Sequence, residues 1–367
     1  MLKKIIVHIG YMKTGTTSIQ NFLLAQRDAL HQRGIFYPDK PNHFDLAHLH
    51  DKRGRLRTDY SFEGATPEDA RAQSRQWFDD QIAACRRAKL HTAIFSSEAL
   101  PRSRPIDFAA LDAELRGLAT EVTYLCYVRH PWAMFESVYR QRIKTGRTTF
   151  AALQAQPDLI NVSPARKLAK LVDRLGRDRF VFRVFDRDQL VGGDVVCDCL
   201  SVLGLSDLAP LATGLQDNNP SPSLEALYLS DLLTQDLPYL VNGKRNPARA
   251  PMPQMSFVKV RGRPFHPLTA SIEAARPNIE DELALFRDTL GITFPERAEP
   301  ISVAKFDLEA ARTWDESAFR DLAHLINDMS LEISALRKDR HRPLLSPLSK
   351  PDGWQAGLRK LRTLLRR

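Results

Sequence analysis

The sequence predicts an α/β fold built on a parallel sheet, and three observations carry that prediction. Short apolar runs of strand length alternate with amphipathic stretches of helical length. The first run passes straight into a glycine-rich turn and then a helix. Several apolar runs end in polar or charged residues, as strands do when their carboxyl ends line a crevice.

"KKIIVHI" (3–9) reads as the first strand. The helix after it, "TSIQNFLLAQRDALHQRG", spaces Ile19, Phe22, Leu23 and Leu30 at helical intervals and stops at Gly34. "FYPDKPNHFDLAHLHDKRGRLRTDY" is irregular, polar and rich in His and Pro, long enough for a functional loop. "PEDARAQSRQWFDDQIAACRRAK" is an amphipathic helix leading to a second strand, "HTAIFSSEALP" (91–101). "EVTYLCYVRHP" (121–131) is a third strand, ending in a charged turn that opens the helix "WAMFESVYRQRIK". "ARKLAKLVDRLG" (helix), "RFVFRVFD" (179–186, a fourth strand) and "VVCDCLSVLG" (helix) complete the alternation. Beyond Asn218 the pattern becomes mostly helical, in "PSLEALYLSDLLTQ", "IEDELALFRDTLG" and "ESAFRDLAHLINDMSLEISALRK". A basic, loop-like stretch (242–267) separates the first two. The expected organisation is one α/β domain over 1–340, with its core at 3–205 and a mostly helical portion at 218–340. A basic linker and an amphipathic helix follow at 341–367.

Composition narrows the class. With 43% apolar and 26% charged residues, the 367-residue chain reads as a globular enzyme able to bury a large core. No run approaches ~18 uninterrupted apolar residues, and "MLKKIIVHIG" is too quickly polar for a signal peptide. The four cysteines form no C-x-x-C pair and have no clustered histidines, so the expectation is reduced thiols, no metal site and a cytoplasmic location. The formal net charge is +9, but ten Lys/Arg and only two Asp lie from Arg337 onward. Basicity concentrated in a tail argues against a nucleic-acid-binding fold. In that tail Trp354, Leu358, Leu361 and Leu365 share one helical face among Arg and Lys. The pattern suits either peripheral contact with an anionic inner membrane face or docking on the protein's own surface.

"GYMKTGTT" (10–17) has the glycine spacing of a P-loop, G-x-x-x-x-G-K-[ST], but Thr16 stands where that motif has lysine. The lysine is instead at Lys13, inside the loop. Backbone N–H groups of Gly15 to Thr17, at a helix start, favour an anion through unpaired donors and the helix dipole. The hydroxyls of Thr14, Thr16 and Thr17 add neutral donors. With the ammonium on the loop, the ligand that fits is one 5′-phosphate carrying a transferable group, rather than a triphosphate with magnesium. No strand ends as a Walker-B strand does. The fold class is thus P-loop NTPase-like: three layers, a central parallel sheet and a helical C-terminal portion. In "YVRHPWAMFESVYRQ", Arg129 closes a strand and Ser137 lies about two turns into the next helix. A guanidinium fork and a small hydroxyl suit a second phosphate.

Together, "HIGYMKTGTTSIQ" resembles the 5′-phosphosulfate loop of sulfotransferases that use 3′-phosphoadenosine 5′-phosphosulfate (PAPS), and "YVRHPWAMFESVY" resembles their 3′-phosphate motif. "IFSSEAL" and "GRDRFVFRVFDRDQLVGGDVVCDCLSVLGL" fit the same superfamily, in its bacterial branch often acting on carbohydrates and glycolipids. The resemblance covers roughly 3–205. It implies PAPS as co-substrate, no metal, and transfer of a sulfuryl group to a hydroxyl or amine of a glycan, glycolipid or similar acceptor. It implies Lys13 at the bridging oxygen between phosphate and sulfate, and Thr14, Gly15, Thr16 and Thr17 on the 5′-phosphate. Arg129 and Ser137 would hold the 3′-phosphate. A general base is also needed; Glu98 in "FSSEALP" is the first choice, with His43 and His48 in the polar loop as alternatives. Two other classes stay open: a P-loop kinase-like phosphotransferase, and a non-catalytic nucleotide- or membrane-binding protein.

Overall fold

The computed structural model of the chain describes residues 1–11, 13–51, 66–212, 221–242, 244–250, 257, 258, 260, 262–307 and 316–339. The amphipathic tail at 341–367 and Arg261 of the basic stretch lie outside the described residues. Among those described, no helix is long and apolar enough to cross a membrane.

The chain divides into two compact units. The first comprises 1–139, 157–220 and 266–303 and holds a five-stranded, all-parallel sheet. Its strands are β1 (Leu2–Ile9), β2 (Ile35–Phe36), β3 (Thr92–Ser97), β4 (Ala119–Val128) and β5 (Phe180–Val184), in the spatial order β2-β3-β1-β4-β5. β1 is central. The chain leaves β1 towards one edge and crosses from β3 to the other side. Crevices at the carboxyl ends of strands in open α/β sheets arise from such a reversal.

Sequence order and packing agree on why these strands lie inside. β1 buries Ile5, Val7 and Ile9 completely, and β4 buries Tyr124 to Val128 as a near-continuous apolar run, the mark of a strand covered on both faces. One face carries α1 (Thr16–Ala25), α2 (Arg27–His31) and α9 (Val195–Val202), whose Ile19, Phe22, Leu23, Leu30, Val196 and Leu200 cluster with Ile94, Leu125 and Tyr127. On alternate strand positions, Phe95 meets Phe78 of α4 (Pro67–Arg87), and Tyr124 meets Phe108 of α5 (Pro105–Leu118). Period-two alternation therefore assigns neighbouring residues to opposite layers. Each fully buried aromatic of this kind contributes about 1.5–3 kcal/mol through area removed from water.

Local chemistry sets the element ends. Thr66 and Asp69 form a reciprocal capping box at the start of α4, with Pro67 at its first position. Asp194 caps α9 by accepting from the N–H groups of Val196 and Cys197. Glu282 is buried in α11 (Thr269–Asp288) and accepts from the N–H of Ala165 at 2.6 Å, so it caps α8 (Pro164–Leu175) from another helix.

Several elements differ from the sequence expectation. The first helix breaks at Gln26 into α1 and α2. β2 is only two residues long, too short for a periodic signal, yet it forms one edge of the sheet. α5 carries no strong amphipathic stripe, and the apolar pattern does not predict it. The polar 36–60 stretch contains a short helix, α3 (Asp45–His48). α11 starts ten residues before the apolar run that marks it in the sequence and carries Pro277 inside, where a proline ordinarily marks a helix boundary.

The second unit comprises 140–156, 221–265 and 304–367. Phe150 of α7 (Phe150–Ala155) stacks with Phe265 and packs at a tilt against Phe306. In α10 (Leu224–Asp236), Tyr228 meets Phe319 of α12 (Glu316–Asp339), while Asp231 accepts from the N–H of Phe150 at 2.8 Å. Arg249 is buried and donates to Thr234 and to the carbonyl of Leu237. α6 (Pro131–Lys144), which opens in the first unit, ends in this one.

Candidate active site

The glycine loop joins β1 to α1 at the centre of the sheet. The N–H of Gly10 donates to the carbonyl of Ser97 at 3.0 Å, which holds the end of β1 against the end of β3. A Cβ on Gly10 would lie 2.6 Å from Thr16 Cγ2 and 2.9 Å from Glu98 Cγ, so only glycine lets these two groups close over it. This contact brings Glu98 to the loop. The carbonyl of Tyr11 accepts from the hydroxyls of Thr14 at 2.7 Å and Thr16 at 3.3 Å. Both threonines are buried and their hydroxyl protons close the turn, so those protons are committed within the loop and are not the ligand donors expected of them. Thr17 is exposed.

Lys13 is exposed and has φ = 66°, in the left-handed region. A non-glycine residue there costs about 1–2 kcal/mol. Its carbonyl accepts from Arg129 Nη1 at 3.1 Å. Gly15, the residue before α1, is also left-handed at φ = 72°, and a Cβ there would meet Val195 Cγ1 at 2.6 Å and Phe185 Cε2 at 3.1 Å. Among the described residues, the N–H groups of Thr14 to Thr17 find no backbone acceptor. Unsatisfied donors at a helix start concentrate positive potential on the loop's outer side.

Arg129 follows β4 directly and is half-buried; its guanidinium carbon lies 5.6 Å from the centre of the Phe185 ring. The residues after it start α6. His130 Nδ1 accepts from the N–H of Trp132 at 3.2 Å, and Pro131 occupies the first helical position. Burial and, next, the charge of Arg297 hold the His130 imidazole down at about 4, so it stays a neutral cap. Trp132 and Phe135 pack in the core. Ser137 is half-buried, two turns into α6, beside Glu136, which accepts from Arg297 at 3.1 Å. Arg129, Lys13 and Glu98 are thus tied to one loop by direct contacts; Ser137 stands on the helix that Arg129 introduces.

The candidate bases separate by their surroundings. Glu98 is half-buried just beyond β3, and its N–H donates to Asn42 Oδ1 at 3.3 Å. His43 has both ring nitrogens committed: Nε2–H donates to the carbonyl of Lys40 at 2.8 Å, and Nδ1 accepts from the N–H of Ser96 at 2.8 Å. Its own N–H donates to the carbonyl of Ser96 at 2.7 Å. His43 therefore staples the 40–43 turn to the end of β3 and has no nitrogen left for an acceptor's proton. His48 is buried at the end of α3. Beneath the loop, Ser96 Oγ accepts from Gln20 Nε2 at 2.9 Å and shares a 2.8 Å hydrogen bond with His8 Nδ1. Asn42 carries no motif, and these pairings are invisible along the chain: Asn42 and Glu98 are 56 residues apart in sequence, and Gln20 and Ser96 are 76 apart.

These buried imidazoles predict an acid-sensitive fold. Burial lowers His43 to about 3 and His8 to about 4. Between those values and the unfolded value near 6.5, the unfolded chain binds more protons than the native one, so stability falls as pH falls through that window. Each histidine contributes a slope of about 1.4 kcal/mol per pH unit there. Urea denaturation of His43→Asn from pH 7 to about pH 4.5 should show a flatter loss than the parent. An equal slope would show that His43 does not carry the loss.

No family model matches the sequence, and no curated protein matches it. Structures similar to the chain include a sulfotransferase from Alicyclobacillus acidocaldarius, at 14% identity and a TM-score of 0.42, spanning 80% of this chain and 98% of that one. Another is the sulfotransferase domain from the curacin biosynthetic pathway, at 12% identity and a TM-score of 0.32, spanning 76% of this chain and 97% of that one. Both neighbours are sulfotransferases, but at these scores the likeness carries no weight in assigning the site.

Proposed function

We propose that the chain is a PAPS-dependent sulfotransferase that sulfates a hydroxyl or amine of a carbohydrate or glycolipid acceptor. The observation that carries this reading is the position of the lysine: within the loop, left-handed, with its carbonyl held by the arginine that follows β4. A triphosphate site would have its ammonium at the residue after Gly15, which is Thr16.

In the reaction, the acceptor oxygen or nitrogen attacks sulfur in line while the bond from sulfur to the bridging oxygen breaks. The electron pair of that bond stays on the 5′-phosphate of the departing adenosine 3′,5′-bisphosphate. The acceptor's proton goes to the Glu98 carboxylate. Loop N–H groups bind the 5′-phosphate, and Arg129 with Ser137 bind the 3′-phosphate. Lys13 neutralises charge appearing on the bridging oxygen. Fixed charges aimed where charge develops need no reorganisation during the reaction.

A thermal-shift panel tests the reading. Adenosine 3′,5′-bisphosphate should raise the melting temperature well above the shifts given by Mg-ATP or NAD, because a ligand bound only by the native state stabilises it. A larger shift with Mg-ATP would favour the kinase-like alternative and reject this one.

A further inference from the structure

Arg129 makes a contact that phosphate binding alone would not require. One of its five N–H donors is spent on the carbonyl of Lys13, 116 residues earlier. Two other closures of the loop act on a neighbour: Thr14 and Thr16 both donate to Tyr11, two residues before Lys13. The contact from Arg129 acts on the peptide of Lys13 itself, the loop residue whose conformation needs outside support. The support is braced in turn. Phe185 lies against the guanidinium, its ring is one that a Cβ on Gly15 would strike, and its N–H donates to the carbonyl of Val128 at 2.7 Å. Phe185, Arg129, Lys13 and Gly15 thus form one contiguous set running from the ends of β4 and β5 to the start of α1.

We infer that Arg129 is a positioning residue for Lys13 as well as a phosphate ligand. Its guanidinium holds the Lys13 peptide in the left-handed region, which fixes the direction in which the ammonium leaves the loop. The inference rests on the function proposed above. It means that a 3′-phosphate on the outer edge of the guanidinium is mechanically connected to the lysine at the other end of the donor. Selection for the 3′-phosphorylated nucleotide then acts on the arrangement of the reactive end, not only on affinity.

The test uses ligands with and without the 3′-phosphate. In calorimetric titrations, Arg129→Ala should weaken adenosine 5′-phosphate by about tenfold, although that nucleotide has nothing for a 3′-phosphate site to hold. Adenosine 3′,5′-bisphosphate should lose considerably more. Arg129→Lys, a single point charge without a planar fork, should recover part of the bisphosphate affinity and none of the loss for adenosine 5′-phosphate. A ligand-free crystal structure of Arg129→Ala should show Lys13 outside the left-handed region. Unchanged affinity for adenosine 5′-phosphate, or Lys13 still near its parental φ, would overturn the positioning role and leave Arg129 as a phosphate ligand only. Failure of the parent protein to bind the bisphosphate at all would instead overturn the proposed function beneath it.

Discussion

Replacing Lys13 by alanine should lower kcat for sulfuryl transfer by about 10² to 10³ or more, the usual cost of removing one group aimed at developing charge. The loss belongs in kcat because the bridging oxygen carries its full charge only as the bond to sulfur breaks. Stability should hardly change: Lys13 is exposed, and alanine meets the same left-handed backbone that lysine already tolerates. A variant that melts like the parent and no longer transfers sulfate is the expected result. Near-parental turnover would remove Lys13 from the reaction and with it the reason for reading the loop as a phosphosulfate site.

The second large effect concerns Glu98. Glu98→Gln preserves shape and the backbone contact to Asn42 while removing the proton acceptor. A general base of this kind contributes roughly 10² to 10⁴ in rate, so kcat should fall by that much with donor affinity largely kept. The pH profile gives an independent sign. A carboxylate takes a proton only when ionised, so parental kcat should decline towards acid pH, and that limb should vanish in Glu98→Gln. His43→Asn serves as the contrast: it should lose stability while the acid limb of its profile persists, since both imidazole nitrogens are already bonded to backbone groups. Retention of the full rate by Glu98→Gln would defeat the assignment of the base.

Much of the fold is legible in the sequence. The strand, glycine turn and helix around residues 3–31 announce themselves because local rules govern them: an apolar run, two glycines at loop spacing, and a helical stripe. The helix start at Arg129-His130-Pro131 is equally local, with His130 capping the second helical N–H and Pro131 supplying its fixed φ. Other elements are invisible in the same terms. β2 has two residues, and it is a strand only because β3 offers it hydrogen bonds. α5 lacks a strong stripe, and its place in the outer layer depends on Phe108 finding Tyr124.

The candidate site divides along the same line. From sequence alone come the expectation of a phosphate loop, the displacement of its lysine and the candidate arginine, since each is a matter of residue type at short spacing. Tertiary structure alone decided which distant groups meet. It set Glu98 against Gly10, consumed both nitrogens of His43 in backbone bonds, and joined Arg129 to the carbonyl of Lys13. Short-range patterns persist in sequence because neighbours along the chain stay neighbours in space. Contacts between strand ends depend on strand order and register, which the whole sheet determines at once.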